Sequence, residues 1–467
     1  RPDVPLEDPR KALPAFLIRE DIEYFPEMSE LDVVRHYSQL ADKNFSIDKG
    51  LNPLGSCTMK YNPRINEDTA SLSGFTMLHP YQPIEHTQGA LRLIYELELL
   101  LKEITGLDAV TLQPAAGAQG ELTGMLMIAE LLKDKGESRH KVIIPDTAHG
   151  TNPASCNLAG FKAVPVKSDS QGILEAKDIE KIMDEDTAAV MITNPNTLGL
   201  FEDNIREIAD VVHKKGGFLY MDGANLNAIM GLAKLSDMGV DVVQMNLHKT
   251  FSTPHGGGGP GSGPIAVTKE LEPYLPTPRI EKTDDGYALI EETEKSIGRV
   301  KAFYGHFSIM VRAYTYIRRL GRDGLKEVSE AAILSANYIK EELKGTYDVP
   351  YDVPCMHECV FTDKLQSEHG VTTMDIAKRL MDYGFHPPTI YFPLIVSGAL
   401  MVEPTETESI ESIDAFISAM RAIAKEAEET PELVKSAPNN SGWGRIDEVG
   451  AARNPVLRWT PPEEIPD

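Results

Sequence analysis

The stretch NLHKTFSTPHGGGGPGSGP, residues 246–264, decides the predicted fold. It follows the β-branched run Val242–Met245, so Lys249 stands just past the end of a predicted core strand, where lysine is rare. An amine there, between His248 and Thr250, can form a Schiff base with an aldehyde. The glycines let the backbone approach a ligand closely, but the order GxxxxGKS/T of a nucleotide-binding P-loop is missing. The alternative is a lysine at a strand end followed by a flexible loop.

Asp222 is the second informative residue, because it directly follows the apolar run Phe218–Met221. At the carboxyl end of a parallel strand, a carboxylate points into the crevice where ligands bind. There it can keep the nitrogen of a pyridine ring protonated, as the electron sink of pyridoxal phosphate (PLP) requires. The alternative is an aspartate that caps the helix after the strand.

Two further segments also follow predicted strands. His149 comes after the run Lys141–Ile144, where an imidazole can lie flat on one face of a pyridine ring, and Ala224 is small enough for the other face. The alternative for His149 is a loop histidine bonded to backbone. The segment PAAGAQGE, residues 114–121, joins a strand to a helix that starts near Gln119. Small residues at a helix N-terminus expose N–H groups that suit a phosphate, although many strand–helix turns are rich in glycine.

The predicted fold class is α/β, with a mostly parallel sheet in a large domain and a smaller α/β domain after it. Short apolar strands alternate with helical stretches from about residue 86 to residue 270, which is typical of a parallel sheet covered on both faces. Residues 296–320 are predicted as one long helix, and Leu394–Val396 and Leu400–Val402 as strands of the smaller domain. The expected divisions are an N-terminal arm 1–75, a large domain 76–320, a small domain 321–430 and a tail 431–467 that contains Trp443 and Trp459.

Charge and cysteine content exclude several classes of function. The 467 residues carry 46 Lys and Arg against 71 Asp and Glu, a net charge of −25 that repels nucleic acid and anionic membranes. No apolar run is long enough for a membrane helix and the N-terminus does not resemble a signal peptide, so we expect a cytoplasmic protein. Four cysteines are too few for a disulfide framework. Cys355 and Cys359 enclose His357, but their spacing fits no common zinc pattern, so no metal is predicted.

The phosphate turn, the histidine, the aspartate and the lysine occur in the order typical of fold-type I PLP enzymes. With these segments the sequence resembles the glycine decarboxylase (P-protein) of the glycine cleavage system, a PLP-dependent family with an aspartate aminotransferase-like fold. The resemblance runs nearly end to end. The segments that carry it are NPLGSCTMK (52–60), QPAAGAQGE (113–121), AHGTNP (148–153), TNPNTLG (193–199), MDGAN (221–225), HKT (248–250), PHGGGGPG (254–261) and VEPTE (402–406).

The resemblance implies a role for individual residues. Lys249 resembles the Schiff-base lysine, Asp222 the partner of the pyridinium nitrogen and His149 the residue that stacks on the ring. Ala118 and Gln119 resemble phosphate binders with help from His248, Thr197 resembles a residue near the ring, and Ala224 fits its second face. His306 and Arg312 are candidates for binding the substrate carboxylate, and a structural ion pair is the alternative for Arg312. Cys57 is expected near the site as a buried free thiol rather than as a redox residue.

The resemblance also implies partners. The chain is similar to the second, lysine-bearing subunit of the two-subunit form, which assembles with a homologous first subunit as a heterotetramer of two copies each. Its expected substrates are glycine and the lipoyl arm of the H-protein. Two other hypotheses stay open: another fold-type I enzyme, such as an amino-acid decarboxylase or aminotransferase, and a non-catalytic scaffold subunit.

Overall fold

The computed structural model of the protein describes residues 8–19, 22, 25–256, 261–442 and 444–458. The chain forms two compact units, Arg1–Ser46 and Ile47–Asp467. Residues 257–260 of the glycine run lie outside the described residues, as do Trp443 and Trp459. The expectations for the centre of the glycine run and for the two tryptophans therefore stay predictions.

The described residues of the first unit include the α-helices α1 (Pro9–Ala12) and α2 (Glu30–Asp42). Helix α2 begins after Ser29, whose hydroxyl accepts a hydrogen bond from the backbone N–H of Asp32 at 3.2 Å and so caps the helix. Neither helix has a buried residue.

The second unit contains the other helices and all the strands. The helices are α3 (Arg64–Ala70), α4 (Ser73–Thr76), α5 (Gln88–Thr105), α6 (Gly117–Asp134), α7 (Thr151–Leu158), α8 (Ala176–Ile182), α9 (Ile205–Lys214), α10 (Phe307–Leu343), α11 (Lys364–Ser367), α12 (Thr373–Asp382), α13 (Ile410–Glu429), α14 (Pro431–Lys435) and α15 (Glu448–Arg453). The strands are β1 (Ala109–Thr111), β2 (Lys141–Pro145), β3 (Lys162–Val166), β4 (Thr187–Thr193), β5 (Phe218–Gly223), β6 (Val242–Met245), β7 (Ile265–Val267), β8 (Arg279–Thr283), β9 (Gly286–Ile290), β10 (Cys359–Thr362), β11 (Thr389–Ile390) and β12 (Ala399–Val402). Within the described part of the chain, no helix combines the length and the apolar character needed to cross a membrane.

The main sheet has seven strands in the order β1-β7-β6-β5-β4-β2-β3. Strands β2 to β6 pair in parallel, whereas β7 is antiparallel to both β6 and β1. The strands run in register with Thr193 beside Asp222 and Gly223 beside Met245. The carboxyl ends of the parallel strands therefore meet at one edge of the sheet, and the predicted α/β class is confirmed.

Apolar residues fill both faces of this sheet. On strand β5, Met221 packs in the cluster that contains Leu97 of α5 and Ile208 of α9. The next residue toward the N-terminus, Tyr220, packs in a second cluster with Ile128 of α6. This alternation arises because successive side chains of a strand point to opposite faces, and a strand covered on both faces must be apolar throughout.

A second sheet, β10-β12-β11, is antiparallel and belongs to the C-terminal part of the chain. The predicted strand Leu400–Val402 is confirmed as part of β12. The predicted strand Leu394–Val396 is wrong, because these residues form a turn in which the Val396 N–H donates to the Pro393 carbonyl at 3.0 Å. Proline before this run and Gly398 after it, at φ 66°, leave no room for a strand, and β11 takes its place beside β12.

The long helix also differs from its prediction. Helix α10 begins at Phe307 instead of residue 296, because Gly298 and Gly305 adopt φ 83° and 91°, in the left-handed region that ends regular helix. It then continues through a kink at Gly321, at φ 65° and ψ −171°, to Leu343. The helix thus crosses the expected boundary at residue 320. The four-part domain division stays a prediction.

Lys60 lies in the core of the second unit, 4% exposed, and connects the C-terminal part of the chain to the segment that follows β6. Its ammonium donates to Glu406 and Asn227 at 2.8 Å each, to the Thr250 carbonyl at 2.9 Å and to the Tyr316 hydroxyl at 3.2 Å. Burial lowers the pKa of Lys60, and the negative charge of Glu406 opposes this shift. The ion pair therefore depends on complete hydrogen bonding.

We predict that Lys60→Met lowers the free energy of unfolding by about 3–5 kcal/mol, because it leaves a buried carboxylate without its cation. The matched control is Arg64→Met, which breaks the exposed pair with Asp48 at 2.8 Å and should change the free energy of unfolding far less, because solvent screens that pair. Urea unfolding followed by circular dichroism measures both. Equal effects of the two substitutions would contradict the prediction.

Candidate active site

A cavity of about 240 Å³ lies at the carboxyl edge of the main sheet. It is built from the places where strands end. The residues that line it are Ser56, Ala116, Gly117, Ala118, Glu121, His149, Thr151, Thr193, Thr197, Asp222, Ala224, Asn225, Asn246, His248 and Lys249. Seven of the eight predicted site residues are therefore brought together here, the exception being Gln119.

Asp222 lies at the end of β5 and is 3% exposed. Its carboxylate accepts hydrogen bonds from three groups: the Asn152 side chain at 3.0 Å, the Ala224 N–H at 2.9 Å and the Gln244 side chain. Gln244 comes from the neighbouring strand β6 and Asn152 from helix α7. These donors hold the carboxyl group at a fixed position in the cavity.

Glu121, one turn into helix α6, places a second carboxyl group in the same cavity. It accepts hydrogen bonds from the hydroxyls of Thr151 at 2.8 Å and Ser155 at 3.2 Å. Burial raises the pKa of Glu121 to about 7, and the negative charge of Asp222 adds to the shift. Two buried carboxyl groups at one site cannot both ionise freely, so Glu121 is the group that retains a proton.

Lys249 lies four residues after β6, and its ammonium donates to the Ser56 carbonyl at 2.8 Å. Ser56 belongs to the turn Ser56–Thr58, in which Ser56 adopts φ 63° and Thr58 adopts φ 49°. Non-glycine residues rarely occupy this left-handed region, and such strain is common at functional sites. The turn thus holds the amine at the edge of the cavity.

His149, Ala224 and Thr197 line other parts of the cavity. The His149 ring stands edge-on to Phe392 with 5.7 Å between ring centroids, and its Nδ1 accepts from the Thr151 N–H at 3.3 Å. Partial burial and the positive charge of Lys249 lower the pKa of His149, so the imidazole is neutral. The Thr197 hydroxyl donates to the Thr147 carbonyl.

The N-terminus of helix α6 forms the end of the cavity suited to an anion. The first backbone hydrogen bond of this helix runs from Gly120 to the Ala116 carbonyl at 2.9 Å, and no side chain caps the helix. The preceding N–H groups, those of residues 117–119, therefore have no partner within the helix. At Gly117 a Cβ atom would lie 2.6 Å from the Asn246 side chain, so only glycine fits there.

His248 lies beside this helix end. The Ser262 N–H donates to its Nδ1 at 3.3 Å, and the Asn246 side-chain amide lies 3.2 Å from its Nε2. Burial, together with the positive charges of His255 and Lys249 when protonated, lowers the pKa of His248 to about 3. His248 therefore contributes hydrogen bonding rather than charge.

Three buried polar atoms in the cavity have no hydrogen-bond partner among the described residues. They are Thr193 Oγ1, Asn225 Oδ1 and Asn246 Oδ1. Unpaired buried polar atoms are costly, and their convergence on one cavity indicates a polar ligand. An amine, a buried aspartate held by hydrogen bonds and an uncapped helix end are the groups that PLP requires, so the residues present fit this cofactor.

The side chains of Gln119, His306 and Arg312 make contacts other than those expected from the sequence. The Gln119 side chain accepts from the Ala115 N–H at 2.6 Å and donates to the Val300 carbonyl at 2.7 Å, so these contacts hold it against backbone rather than in the cavity. His306 Nδ1 lies 2.7 Å from the Gly261 carbonyl. Arg312 binds both carboxylate oxygens of Glu67 at 2.7 Å each, which is the structural ion pair given as its alternative.

Comparisons with known proteins agree with this geometry. A family model described as aminotransferase class-V matches residues 119–260, and one described as the C-terminal domain of glycine dehydrogenase matches residues 328–441. The chain is 57% identical, over 98% of its length and 94% of the relative, to the probable glycine dehydrogenase (decarboxylating) subunit 2 of Caldanaerobacter subterraneus subsp. tengcongensis. The homologue of the same name in Halalkalibacterium halodurans is 58% identical over 97% of this chain and 93% of its own. The chain belongs to the glycine dehydrogenase (decarboxylating) subunit 2 family.

Solved structures agree on the fold of this family member. A crystal structure of glycine decarboxylase (P-protein) of the glycine cleavage system, in inhibitor-bound form, superposes with a TM-score of 0.75 at 21% identity and covers 90% of this chain and 95% of that chain. An apo structure of a cysteine desulfurase from Thermococcus onnurineus superposes with a TM-score of 0.64 at 16% identity. It covers 81% of this chain and 95% of that chain. The predicted fold-type I PLP architecture is confirmed.

Several cavity residues were not predicted from the sequence. One feature of the sequence could have indicated Glu121 as a site residue: its carboxyl group comes one turn after the small residues that open α6. Thr193, Asn225 and Asn246 are ordinary loop and strand-end residues whose importance depends on being buried without partners. Ser56 is distant in sequence from Lys249, so only the folded chain shows their contact.

We predict that Glu121→Gln makes the stability of the chain less dependent on pH. The pKa of Glu121 is 4.5 when unfolded and about 7 when folded, so the native state is the one that holds the proton, and stability falls as the pH rises through this window. Glutamine cannot ionise and so avoids this loss. The free energy of unfolding of the variant should exceed that of the wild type by on the order of 3 kcal/mol at pH 8 and equal it near pH 4.

Urea unfolding at several pH values measures this difference. The matched control is Glu130→Gln, at a partly exposed glutamate of the same helix that pairs with Lys133 at 2.8 Å. Parallel pH profiles of Glu121→Gln and the wild type would contradict the assignment of a buried, protonated carboxyl group.

Proposed function

We propose that this chain is the PLP-binding, catalytic subunit of a two-subunit glycine decarboxylase, and that PLP is bound as a Schiff base on Lys249. One observation carries the proposal: Lys249 and the buried, fully hydrogen-bonded Asp222 line the same cavity at the carboxyl edge of the sheet. The family supports glycine as the substrate, because its members carry the name glycine dehydrogenase (decarboxylating) subunit 2.

Each predicted residue would then have a stated task. The Asp222 carboxylate would hold a proton on the nitrogen of the cofactor ring. His149 and Ala224 would flank the ring, with Thr197 beside it. The phosphate would be bound by the N–H groups of Ala118 and Gln119 together with the His248 ring. When bound, PLP supplies an electron sink for the pair released at the α-carbon of glycine.

The overall reaction that we propose consumes one proton. Glycine loses its carboxylate as CO₂, and its α-carbon forms a bond to one sulfur of the lipoyl disulfide of the H-protein while the S–S bond breaks. The α-carbon is oxidised and the disulfide is reduced. The second sulfur leaves as a thiolate and takes up a proton, so the products are CO₂, an aminomethyl thioether and a thiol.

The proposed partners follow from the same family membership. A protein named subunit 2 acts with another subunit, and we propose a heterotetramer with two copies of a homologous first subunit and of this chain. The lipoylated H-protein is the proposed acceptor, and the cytoplasm is the proposed location. The net charge of −25 gives no support to a role in binding nucleic acid or anionic membranes.

Two other functions remain as outcomes of experiment. Another fold-type I enzyme would bind PLP at the same lysine but would act without the H-protein. A scaffold subunit would not bind PLP, although Lys249, Asp222 and His149 all line the cavity here.

We predict that borohydride reduction of the chain with PLP, in complex with its partner subunit, places one stable pyridoxyl group on Lys249. Peptide mass mapping locates the label, because reduction makes the Schiff base permanent. In Lys249→Arg the specific label should be lost, whereas Lys269→Arg, at a lysine whose side chain is 81% exposed, should keep it. Absence of the label from the wild-type complex would favour the scaffold.

We predict that Asp222→Asn retains PLP on Lys249 but lowers the rate of decarboxylation by several orders of magnitude. Asparagine is nearly isosteric but cannot stabilise a proton on the ring nitrogen. Single-turnover release of CO₂ from carboxyl-labelled glycine measures the rate, and the borohydride label measures occupancy. Near-normal turnover with full occupancy would refute the role of Asp222.

A further inference from the structure

A cluster of three fully buried side chains lies next to Lys249 and outside the cavity. It consists of His357, Glu358 and Glu403, each 0% exposed, whose nearest nitrogen and carboxylate oxygen atoms all lie within 4.8 Å of one another. Glu358 and His357 immediately precede β10, and Glu403 immediately follows β12. The proposed task of the cavity residues makes no use of these groups.

One residue connects the cluster to Lys249. The Ser56 N–H donates to Glu358 Oε2 at 2.7 Å, and the Ser56 carbonyl accepts from the Lys249 ammonium at 2.8 Å. Two residues further along the strained turn Ser56–Thr58, Thr58 donates to Glu403 through its N–H at 2.9 Å and its hydroxyl at 2.6 Å. Lys249 therefore contacts one side of the turn, and the carboxyl groups of Glu358 and Glu403 contact the other side.

The cluster has unused hydrogen-bonding capacity. Within the described part of the chain, neither ring nitrogen of His357 has a hydrogen-bond partner, and Glu358 Oε1 has none. His357 Nε2 lies 3.8 Å from Glu403 Oε1. A neutral imidazole has one N–H and one lone pair, so it can donate to an ionised Glu403 or accept from a protonated one. Because Nε2 is the nitrogen that faces Glu403, the first case needs the ring proton on Nε2 and the second needs it on Nδ1, so the two states of the carboxyl group go with the two tautomers of His357.

Burial and neighbouring charges set the protonation of the cluster. Burial raises the pKa of Glu403 to about 7, while the Thr58 hydrogen bonds and the charges of Lys249 and Lys60 oppose the shift. Burial and the charge of Glu403 raise the pKa of Glu358 well above its ordinary range, with Lys249 opposing and Cys355 adding. The cluster therefore holds at least one proton at neutral pH.

Two of the remaining neighbours, His357 and Cys57, keep their protonation state near pH 7. Burial, with the charge of Lys249, lowers the pKa of His357 to about 3. Burial raises the pKa of the Cys57 thiol, with Lys249 opposing and the charges of Glu403 and Glu358 adding. Near pH 7 the imidazole is therefore neutral and the thiol retains its proton. Glu403 is the member whose charge can change.

We propose that Glu403, with His357 and Glu358, forms a proton-exchanging site whose occupancy follows the charge on Lys249. The site takes up a proton when Lys249 loses its ammonium charge and releases the proton when that charge returns. The net charge of the buried region, summed over the two carboxyl groups and the lysine, thereby stays nearly constant. Its use rests on the proposed function, in which Lys249 binds and releases the cofactor and one proton is consumed in each turnover.

A divalent cation is the other occupant that one histidine and two carboxylates could bind. The charges of Lys249 and Lys60 act against it, and Ser56 and Thr58 already donate to carboxylate oxygens of Glu358 and Glu403. A metal ion needs further oxygen or nitrogen atoms as ligands, whereas the groups around this cluster are hydrogen-bond donors. The observations therefore favour a proton over a metal ion.

The test measures the titration of Glu403 by difference infrared spectroscopy of the full chain, in complex with its partner subunit and freed of PLP. The C=O band of a protonated carboxyl group is followed against pH, and Glu403→Gln identifies the band of Glu403. The midpoint should lie near pH 7 in the wild type. It should rise by more than one pH unit in Lys249→Met and stay unchanged in Lys249→Arg, which preserves the charge.

Glu202 supplies an internal control. Burial raises its pKa to about 7 as well, but its hydrogen-bond partners are Leu174 and Asn196, and Lys249 does not contribute to its shift. The Glu202 band, identified with Glu202→Gln, should therefore titrate identically in the wild type and both Lys249 variants. A shift of both bands together would indicate a general structural change and would overturn the specific link to Lys249.

Three further results would overturn the proposal. They are a Glu403 midpoint that is the same in Lys249→Met and the wild type, the absence of a band that depends on Glu403, and a stoichiometric metal ion that is lost in His357→Ala. The experiment contains no PLP, glycine or H-protein, so its failure leaves the proposed function intact. Failure of the proposed function shows instead as a missing label on Lys249.

Discussion

Asp222 carries a carboxyl group almost excluded from water at the end of a central strand, so the protein itself must supply its hydrogen bonds. The parallel sheet meets this requirement by bringing Gln244 from β6 and Asn152 from α7 to its oxygens. The ends of the same strands then surround a polar cavity. The position of Lys249 depends on this arrangement, because its segment follows β6, which pairs in register with the strand that carries Asp222.

The electrostatics of the site divide into two groups. In the cavity, three hydrogen-bond donors surround Asp222, burial and the charge of Asp222 raise the pKa of Glu121 to about 7, and burial lowers the pKa of His149. Beside the cavity, the turn Ser56–Thr58 lies between the Lys249 ammonium group and the buried carboxyl groups of Glu358 and Glu403. In the proposed reaction Lys249 changes charge, and it lies between Asp222 and the proposed proton-exchanging site. This arrangement limits the cost of charge changes in a region of low dielectric constant.

Local sequence patterns were sufficient for the sheet and for the strand-end residues. Lys249 and Asp222 follow apolar runs that could only be buried strands, and the parallel connection of these strands brings their ends together. The prediction failed where glycine and proline changed the backbone, as in the start of α10 at Phe307. It also could not find the contact of Ser56 with Glu358, because these residues are 302 positions apart and nothing local links them.

The most direct test of the central claim is isotope exchange between labelled bicarbonate and the carboxyl group of glycine. It uses this chain with its partner subunit, PLP and lipoylated H-protein. The account predicts rapid exchange that stops when PLP or the H-protein is omitted. Exchange at the same rate without the H-protein would show a decarboxylase of another kind. No exchange from a complex that carries PLP on Lys249 would contradict glycine as the substrate.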